Sequence, residues 1–186
     1  MKQRALWVGN VEFAFYTLAL LWVVYLINTI VPIVDFRQYG IRPREVHGLL
    51  GIPLCPFLHG NMAHILANSA ALFWLLILAL SFSRRLTCFA LLIIVILGGG
   101  TVWLVGDSST LVIGASGVIF GLIGFLLAIG PVRGEWRAAA LSILVFVFYG
   151  GALIAMVKHT PGTSWLGHAS GFVAGIVAAY WTRRLA

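Results

Sequence analysis

The stretch IGASGVIFGLIG, residues 113–124, decides how the rest of the chain is interpreted. It places Ser116 between two glycines at the start of an apolar run that is long enough to cross a membrane. Because glycine has no side chain, another backbone can approach a serine hydroxyl held there, as a nucleophile requires. Taken alone, the run is better explained by helix packing, since Gly117, Gly121 and Gly124 form a small-residue face. Partners elsewhere in the chain must decide between these two roles.

The composition is that of an integral membrane protein. Of the 186 residues, 61% are hydrophobic and 9% are charged, whereas about 25% are charged in a typical soluble domain. The mean hydropathy is +1.04. We therefore predict an all-α polytopic fold, with a single membrane domain over residues 1–186. Six apolar runs of roughly the 20 residues that a spanning helix needs, numbered here spans one to six, occupy residues 13–34, 62–80, 86–105, 111–130, 138–157 and 165–181.

The basic residues predict how the chain is oriented. The net charge of +7 does not indicate nucleic-acid binding, because the positive side chains are spread through the loops and form no patch. With six spans, both termini share one side, which is predicted to hold eight basic residues against four on the other. The positive-inside rule then places the termini in the cytoplasm. The larger group is Lys2, Arg4, Arg84, Arg85, Arg133, Arg137, Arg183 and Arg184, and the smaller is Arg37, Arg42, Arg44 and Lys158.

The segments around the spans give further expectations. The run after Lys2 and Arg4 is too long for a signal-peptide core and has no clear cleavage site, so we expect the first span to be retained. Short loops suit a bacterial inner membrane, and an organelle membrane is the alternative. Cys55 and Cys88 fall near opposite faces of the membrane, so we expect no disulfide between them.

The longest connection, residues 35–60, is predicted to lie on the outer side, after a first helix that ends at Pro32. It combines charged residues with the apolar stretch GLLGIPLCPFLHG, residues 48–60, which is too short and too rich in proline to cross the membrane. This mixture fits an element that lies in the membrane interface.

Span two opens with HGNMAHILANSAAL, residues 59–72. His64 and Asn68 are four residues apart, so both project from one helical face about one turn below the outer surface. Polar side chains on one stripe of a membrane helix are costly and usually face a partner or a wet cavity. A single interhelical hydrogen bond would explain them equally well, and His59 is expected to be merely interfacial.

Span six begins WLGHASGFVAGIVAAYW, residues 165–181. His168, Gly171 and Gly175 share one face of this helix, which makes the face smooth around the histidine. We expect this face to pack against the glycine face of span four.

The topology places Ser116, His168, His64 and Asn68 in one layer near the outer ends of their spans. A neutral imidazole can accept a serine proton, so Ser116 and His168 are predicted to form a nucleophile and its general base. His64, the Asn68 amide and the Ser116 backbone N–H can stabilise the oxyanion, with one such donor worth roughly 3 kcal/mol of barrier. No carboxylate lies in this layer to orient His168. The predicted catalytic unit is therefore a Ser–His dyad.

Other protease chemistries lack their residues in this sequence. Metalloproteases use H-E-x-x-H, whereas His64 begins H-I-L-A-N. An aspartyl mechanism needs two carboxylates in the membrane, and Asp107 has no second one. GASGV is not the G-x-S-x-G elbow of soluble hydrolases, because Val118 holds its fifth place. We expect neither a metal nor a cofactor.

Three motifs resemble those of the rhomboid intramembrane serine proteases: HGNMAHILANS on span two, GASGVIFGLIG on span four and GHASGFVAG on span six. The resemblance covers about residues 40–180 and implies a rhomboid-like bundle of six helices. It implies that Ser116 is the nucleophile, His168 the general base, and His64 and Asn68 the oxyanion residues. It also implies cleavage of other proteins' transmembrane helices near their outer ends, after small residues, with substrate entering beside span five.

The resemblance also concerns supporting positions. Gly114 matches the glycine before the active serine, while Gly117 and Gly171 are expected to support packing. The family often has a tyrosine stacked on the catalytic histidine four residues after the serine, whereas this chain has Phe120, which can stack but has no hydroxyl. The Trp-Arg pair common in the family's first outer loop is replaced by GLLGIPLCPF, so the resemblance does not say how this loop is anchored.

Two other functions remain as alternatives. A non-catalytic relative would bind or chaperone transmembrane helices without cutting them, although the presence of both Ser116 and His168 argues against this. A small transporter or channel would need ionisable residues along a path to the inner side, and the polar groups cluster in the outer half only. The expected partners are transmembrane protein substrates and the lipid bilayer.

Overall fold

The computed structural model describes residues 2–31, 33, 35–157 and 164–185. This part of the chain is helical, and its only β-type pairing is an isolated bridge between Ile41 and Val112. Short 3-10 turns lie before the second long helix, and a π-helical segment, Ile94–Gly98, joins α3 to α4. The α-helices are α1 (Lys2–Ile30), α2 (Gly51–Leu54), α3 (Met62–Ile93), α4 (Gly99–Val105), α5 (Ser116–Arg133), α6 (Trp136–Val157) and α7 (Trp165–Thr182).

The helices account for six crossings. Four segments of the described chain are long and apolar enough to span a membrane. One of them, Met62–Val105, supplies two crossings because its backbone leaves helical geometry at Ser83, with φ −164° and ψ 112°. Helix α7 is the sixth. It is as long as α5, but its histidine and many small residues lower its mean hydropathy. The chain is thus an all-α, multi-pass membrane protein, as predicted.

The break at Ser83 reverses the chain. After it, Gly98 packs against Gly171, so the chain has returned to the end of the bundle at which α7 begins. We call this the Ser116 end, and the opposite end, where the Arg133 guanidinium lies 5.9 Å from the Phe82 ring, the Arg84 end. Pro32 and Lys158, for which the sequence predicts a helix end and an outer charge, lie outside the described residues.

Helix α5 forms the centre of the bundle. Leu122, Ile123, Phe125 and Leu126 are all fully buried in the main core. On one side α5 touches α7 backbone to backbone, because a Cβ added at Gly171 would collide with the Gly117 carbonyl oxygen. The two glycine faces noted in the sequence meet at this contact.

A Cβ added at Gly175 would likewise collide with the Gly121 carbonyl oxygen. Glycine is required at such positions because the two backbones leave no room for a side chain. The α5–α7 pair is therefore held in a single register.

Helix α6 packs on the other side of α5 and is largely exposed to lipid, with Phe148 74% exposed. Near the Arg84 end the Ser142 hydroxyl donates to the Leu126 carbonyl at 2.7 Å and accepts from the Gly130 N–H at 3.0 Å. Near the other end, Tyr149 reaches the Ala71 carbonyl at 3.5 Å. Helix α6 is therefore fastened more firmly at the Arg84 end.

Residues 35–60 form an ordered cap over the Ser116 end. Ile41 and Val112 exchange two backbone hydrogen bonds of 2.9 Å. The Arg44 guanidinium donates to the Gly106 carbonyl at 2.7 Å, and the Trp103 indole N–H donates to the Glu45 carbonyl at 2.8 Å. These contacts anchor the outer loop. The sequence comparison gave no anchor for it, because the Trp-Arg pair is replaced in this chain.

We expect the substitution Gly175→Ala to lower the free energy of unfolding by about 1–3 kcal/mol, because a methyl group there overpacks the α5–α7 contact. The control is Gly151→Ala in α6, where an added Cβ meets nothing within 4 Å. That change should raise helix stability by about 0.5–1 kcal/mol. Thermal unfolding in detergent measures both, and equal shifts would contradict the role given to the glycine contact.

We expect Arg44→Gln to loosen residues 35–60, since it removes a charged donor worth about 1.5–3 kcal/mol. Faster amide hydrogen exchange in this loop, measured by mass spectrometry, is the predicted result. Arg42→Gln is the matched control, because the Arg42 guanidinium makes no hydrogen bond with the described residues. Identical exchange in the two variants would rule out Arg44 as an anchor.

Candidate active site

The segment before α5 determines where Ser116 lies. Gly114 has a φ of +112°, a conformation that residues with a side chain rarely adopt. Its N–H donates to the Cys55 carbonyl at 2.8 Å, which ties this segment to the outer loop. A Cβ at Gly114 would lie 2.6 Å from the His64 ring and 3.4 Å from the Asn68 amide nitrogen. Glycine is therefore needed here both for its backbone angle and for space.

This close approach brings span two to the start of span four. The ring of His64 and the amide of Asn68 face the backbone two residues before Ser116. Ser116 is the first residue of α5, where backbone N–H groups are unpaired and the helix dipole is positive. An anion that forms at this point would meet several donors.

Helix α7 brings His168 to the same layer. The His168 ring stacks on Phe120, with the ring centroids 4.4 Å apart and the planes 26° apart. Phe120 lies one turn after Ser116, so the two side chains share a face of α5. Within the described residues no hydrogen bond of 3.5 Å or less joins the Ser116 hydroxyl to the His168 ring. Catalytic hydrogen bonds are often long without substrate and shorten when it binds.

The prediction that His59 is merely interfacial is wrong. His59 is 2% exposed, and its Nε2 accepts a hydrogen bond from the Asn68 amide at 2.9 Å. Its ring also contacts the His64 ring edge to face, with centroids 4.9 Å apart. His59 thus fixes the orientation of Asn68 and supports His64.

The sequence pattern gave no direct sign of this role, because His59 lies before the helix. Asn61 caps α3 by accepting the His64 N–H at 2.9 Å. The turn before that cap brings His59 back onto the helix face that carries Asn68. The contact between His59 and Asn68 depends on the three-dimensional path of this turn, which the sequence pattern does not give.

Two cavities adjoin this layer. A small one of about 40 Å³ lies beside Ser116 and includes Cys55 and Ser164 in its wall. It can hold a water molecule, which needs about 10–15 Å³ by this measure. A larger groove of about 550 Å³ runs between α3 and α6, where Ala67 and Ala71 face Tyr149. This groove opens to the bilayer, and Ala67 is the neighbour of Asn68.

Among residues 2–31, 33, 35–157 and 164–185, no group of three His, Cys, Asp or Glu side chains is placed to hold a metal ion. Asp107 is exposed in the turn after α4 and accepts hydrogen bonds from the Ser109 N–H and hydroxyl, both at 2.8 Å. These bonds hold the pKa of the Asp107 carboxyl below its usual range. The carboxylate therefore serves to close its own turn.

Comparison with known proteins adds an independent line of evidence. The Rhomboid domain family model matches residues 45–185. These residues include all four predicted catalytic side chains and the outer loop from Glu45 onward.

An uncharacterized protein of Mycobacterium tuberculosis is 42% identical over 150 residues, which cover 76% of this chain and 62% of that protein. One from Mycobacterium leprae is 35% identical over 191 residues, which cover 96% of this chain and 74% of that protein. Rhomboid-like protease 5 of Toxoplasma gondii is 28% identical over 157 residues, which cover 80% of this chain and 17% of that protein. The chain thus spans less than two thirds of its Mycobacterium tuberculosis relative.

Proposed function

The chain belongs to the rhomboid family, and on that basis we propose that it is an intramembrane serine endopeptidase. It would hydrolyse peptide bonds in or near the transmembrane segments of other membrane proteins. The main support is the layer in which Gly114 touches His64 and Asn68 while His168 stacks on Phe120, one turn from Ser116. Nucleophile, base and oxyanion donors are thereby contributed by three different spans.

The proposed reaction has two steps. In the first, the Ser116 hydroxyl oxygen attacks the carbonyl carbon of the substrate while the His168 ring takes the hydroxyl proton. The C–N bond then breaks, and His168 gives the proton to the departing amine. In the second step, His168 takes a proton from water, whose oxygen attacks the carbonyl carbon of the acyl-serine ester. The ester C–O bond then breaks, His168 returns the proton to the Ser116 oxygen, and the acid leaves. The cavity beside Ser116 would supply that water.

The oxyanion would be held by Asn68, His64 and the Ser116 N–H. The Asn68 amide nitrogen carries two hydrogens, and its bond to His59 uses one of them. The second hydrogen remains for the oxyanion. We therefore propose His59 as a positioning residue that aims the Asn68 amide.

Substrate would enter through the groove between α3 and α6. The groove is apolar, opens to lipid and reaches the neighbour of Asn68. Because α6 is fastened at the Arg84 end by Ser142, its Tyr149 end has more freedom to move aside. A substrate helix must unwind locally to expose an amide, so Gly or Pro near the cut should help.

We also propose that the protein resides in a bacterial inner membrane with both termini in the cytoplasm. The distribution of basic residues supports this orientation, because the Arg84 end carries most of them. The active site would then open to the outer side.

We expect Ser116→Ala and His168→Ala to abolish both cleavage of a model transmembrane substrate and labelling of the detergent-solubilised protein by a fluorophosphonate probe. Ser164→Ala is the matched control. Ser164 borders the same cavity but caps α7 by accepting the Gly167 N–H at 3.1 Å. This variant should lose about 1 kcal/mol of stability and keep its activity. Full activity of Ser116→Ala would refute the proposed nucleophile.

We expect Asn68→Ala to lower kcat by about 10²–10³-fold, as the loss of one oxyanion donor does elsewhere. His59→Ala should lower kcat less, with KM nearly unchanged, because the Asn68 amide stays but is no longer aimed. His47→Ala in the exposed outer loop is the control and should have no effect. If His59→Ala changed KM alone, the positioning role would be excluded.

The alternative is a non-catalytic protein that binds transmembrane helices in the same groove. The open groove and the absent Ser116–His168 hydrogen bond are the observations that favour it. Such a protein would bind a model substrate equally well with Ser116→Ala, and the unmodified chain would release no cleavage product.

A further inference from the structure

A second large cavity lies on the other side of the bundle, between α1 and the helices it packs against. It measures about 600 Å³ and has no part in the proposed reaction. Its α1 wall runs along one helix face from Gly9 to Leu21, a length of about 18 Å at 1.5 Å per residue.

The wall is apolar over most of this length. Leu72 and Leu76 from span two face Leu91 and Val95 from span three. A polar ligand would lose hydrogen bonds to water against such a wall, whereas a hydrocarbon chain has none to lose. Since the cavity opens to the bilayer, the surrounding lipids are a source of such chains.

Glu12 and Arg84 both line the cavity, and among the described residues no other charged side chain does so. The Arg84 guanidinium lies 5.7 Å from the Phe13 ring, and its Nη1 is 3.3 Å from the position of a Cβ at Gly9. Glu12 lies next to Phe13 and one turn from Gly9. Nevertheless Arg84 and Glu12 form no ion pair within 4.0 Å, and Arg84 makes no hydrogen bond with the described residues.

We propose that this cavity binds one phosphatidylethanolamine molecule, with its phosphate on Arg84, its ammonium on Glu12 and an acyl chain along α1. A guanidinium is well suited to phosphate oxygens, and a carboxylate pairs with an ammonium that can donate hydrogen bonds. An anionic phospholipid would satisfy Arg84 but would face Glu12 with a like charge. Because Arg84 and Glu12 do not pair with each other, both charges are available to a ligand. Together they favour a zwitterionic headgroup.

The far end of the cavity reaches the layer described above. Its wall there includes Pro56 of the outer loop and Ala115 and Val118, which flank Ser116 in the sequence. A bound acyl chain would support this part of the loop and the first turn of α5 from behind. Lipid binding should thus stabilise the folded chain, independently of whether the chain is an enzyme.

Native mass spectrometry of the delipidated full chain in detergent tests the site directly. Phosphatidylethanolamine, phosphatidylglycerol and phosphatidylcholine with identical acyl chains are added separately, and thermal unfolding is followed in parallel. We expect retention of one phosphatidylethanolamine and a higher unfolding temperature with this lipid than with the other two. Equal retention of all three lipids would overturn the proposal.

Arg84→Gln should reduce phosphatidylethanolamine occupancy about tenfold or more, as expected for a lost charged hydrogen bond. Arg85→Gln is the matched control, because Arg85 lies 6.0 Å from the Phe89 ring and does not line the cavity. Glu12→Gln should let phosphatidylglycerol bind as well as phosphatidylethanolamine. Equal effects of Arg84→Gln and Arg85→Gln would disprove the site.

A third variant tests the acyl channel without touching the headgroup contacts. Thr17→Phe replaces a small side chain of the cavity wall with a phenyl ring and should remove retention of every phospholipid. Circular dichroism and the elution volume in size-exclusion chromatography confirm that each variant is folded. Undiminished lipid retention in a folded Thr17→Phe variant would show that the chain binds elsewhere and would refute the proposal.

Discussion

The backbone contact between α5 and α7 is the constraint on which the rest of the structure depends. Helices in a bilayer gain little from burying apolar surface, because lipid is as apolar as their side chains, so close packing must hold them together. Gly171 against Gly117 and Gly175 against Gly121 allow this packing at one register only. A slide of one turn would place carbonyl oxygens against side chains. The depth of His168 relative to Ser116 is thereby fixed by residues that have no chemistry of their own.

His64 and Asn68 of α3 reach the layer of Ser116 and His168 beside a segment that is held by the outer loop. Gly114 is the meeting point, because its N–H is bound to Cys55 while its missing side chain admits the His64 ring and the Asn68 amide. An alanine at this position would clash with the His64 ring and strain the backbone at once. The structure therefore assembles the site from the register of two helices on one side and from a single turn that requires glycine on the other.

The sequence predicted most of the fold because membrane spans follow from hydropathy and close helix contacts follow from glycine spacing. The stacking of Phe120 on His168 was implied by the resemblance to the rhomboid family, in which a tyrosine often holds this position. Contacts made by loops could not be predicted in this way. Arg44 and Trp103 are far apart in the sequence from the groups they bind, and His59 reaches Asn68 only through a turn. No periodicity encodes such paths, because each depends on how the whole loop folds over the bundle.

The paired hydrogen bonds between Ile41 and Val112 have a consequence for the thermodynamics of ligand recognition. They join the outer loop to the segment before α5, so the backbone around Ser116 is ordered before any ligand arrives. The conformational entropy of this backbone is lost during folding and does not weaken later association. If the chain binds a polypeptide beside α6, as proposed, affinity is limited by the ordering of that polypeptide and by displacement of α6. A ligand that is already extended should accordingly associate with a smaller entropic penalty than one that is fully helical.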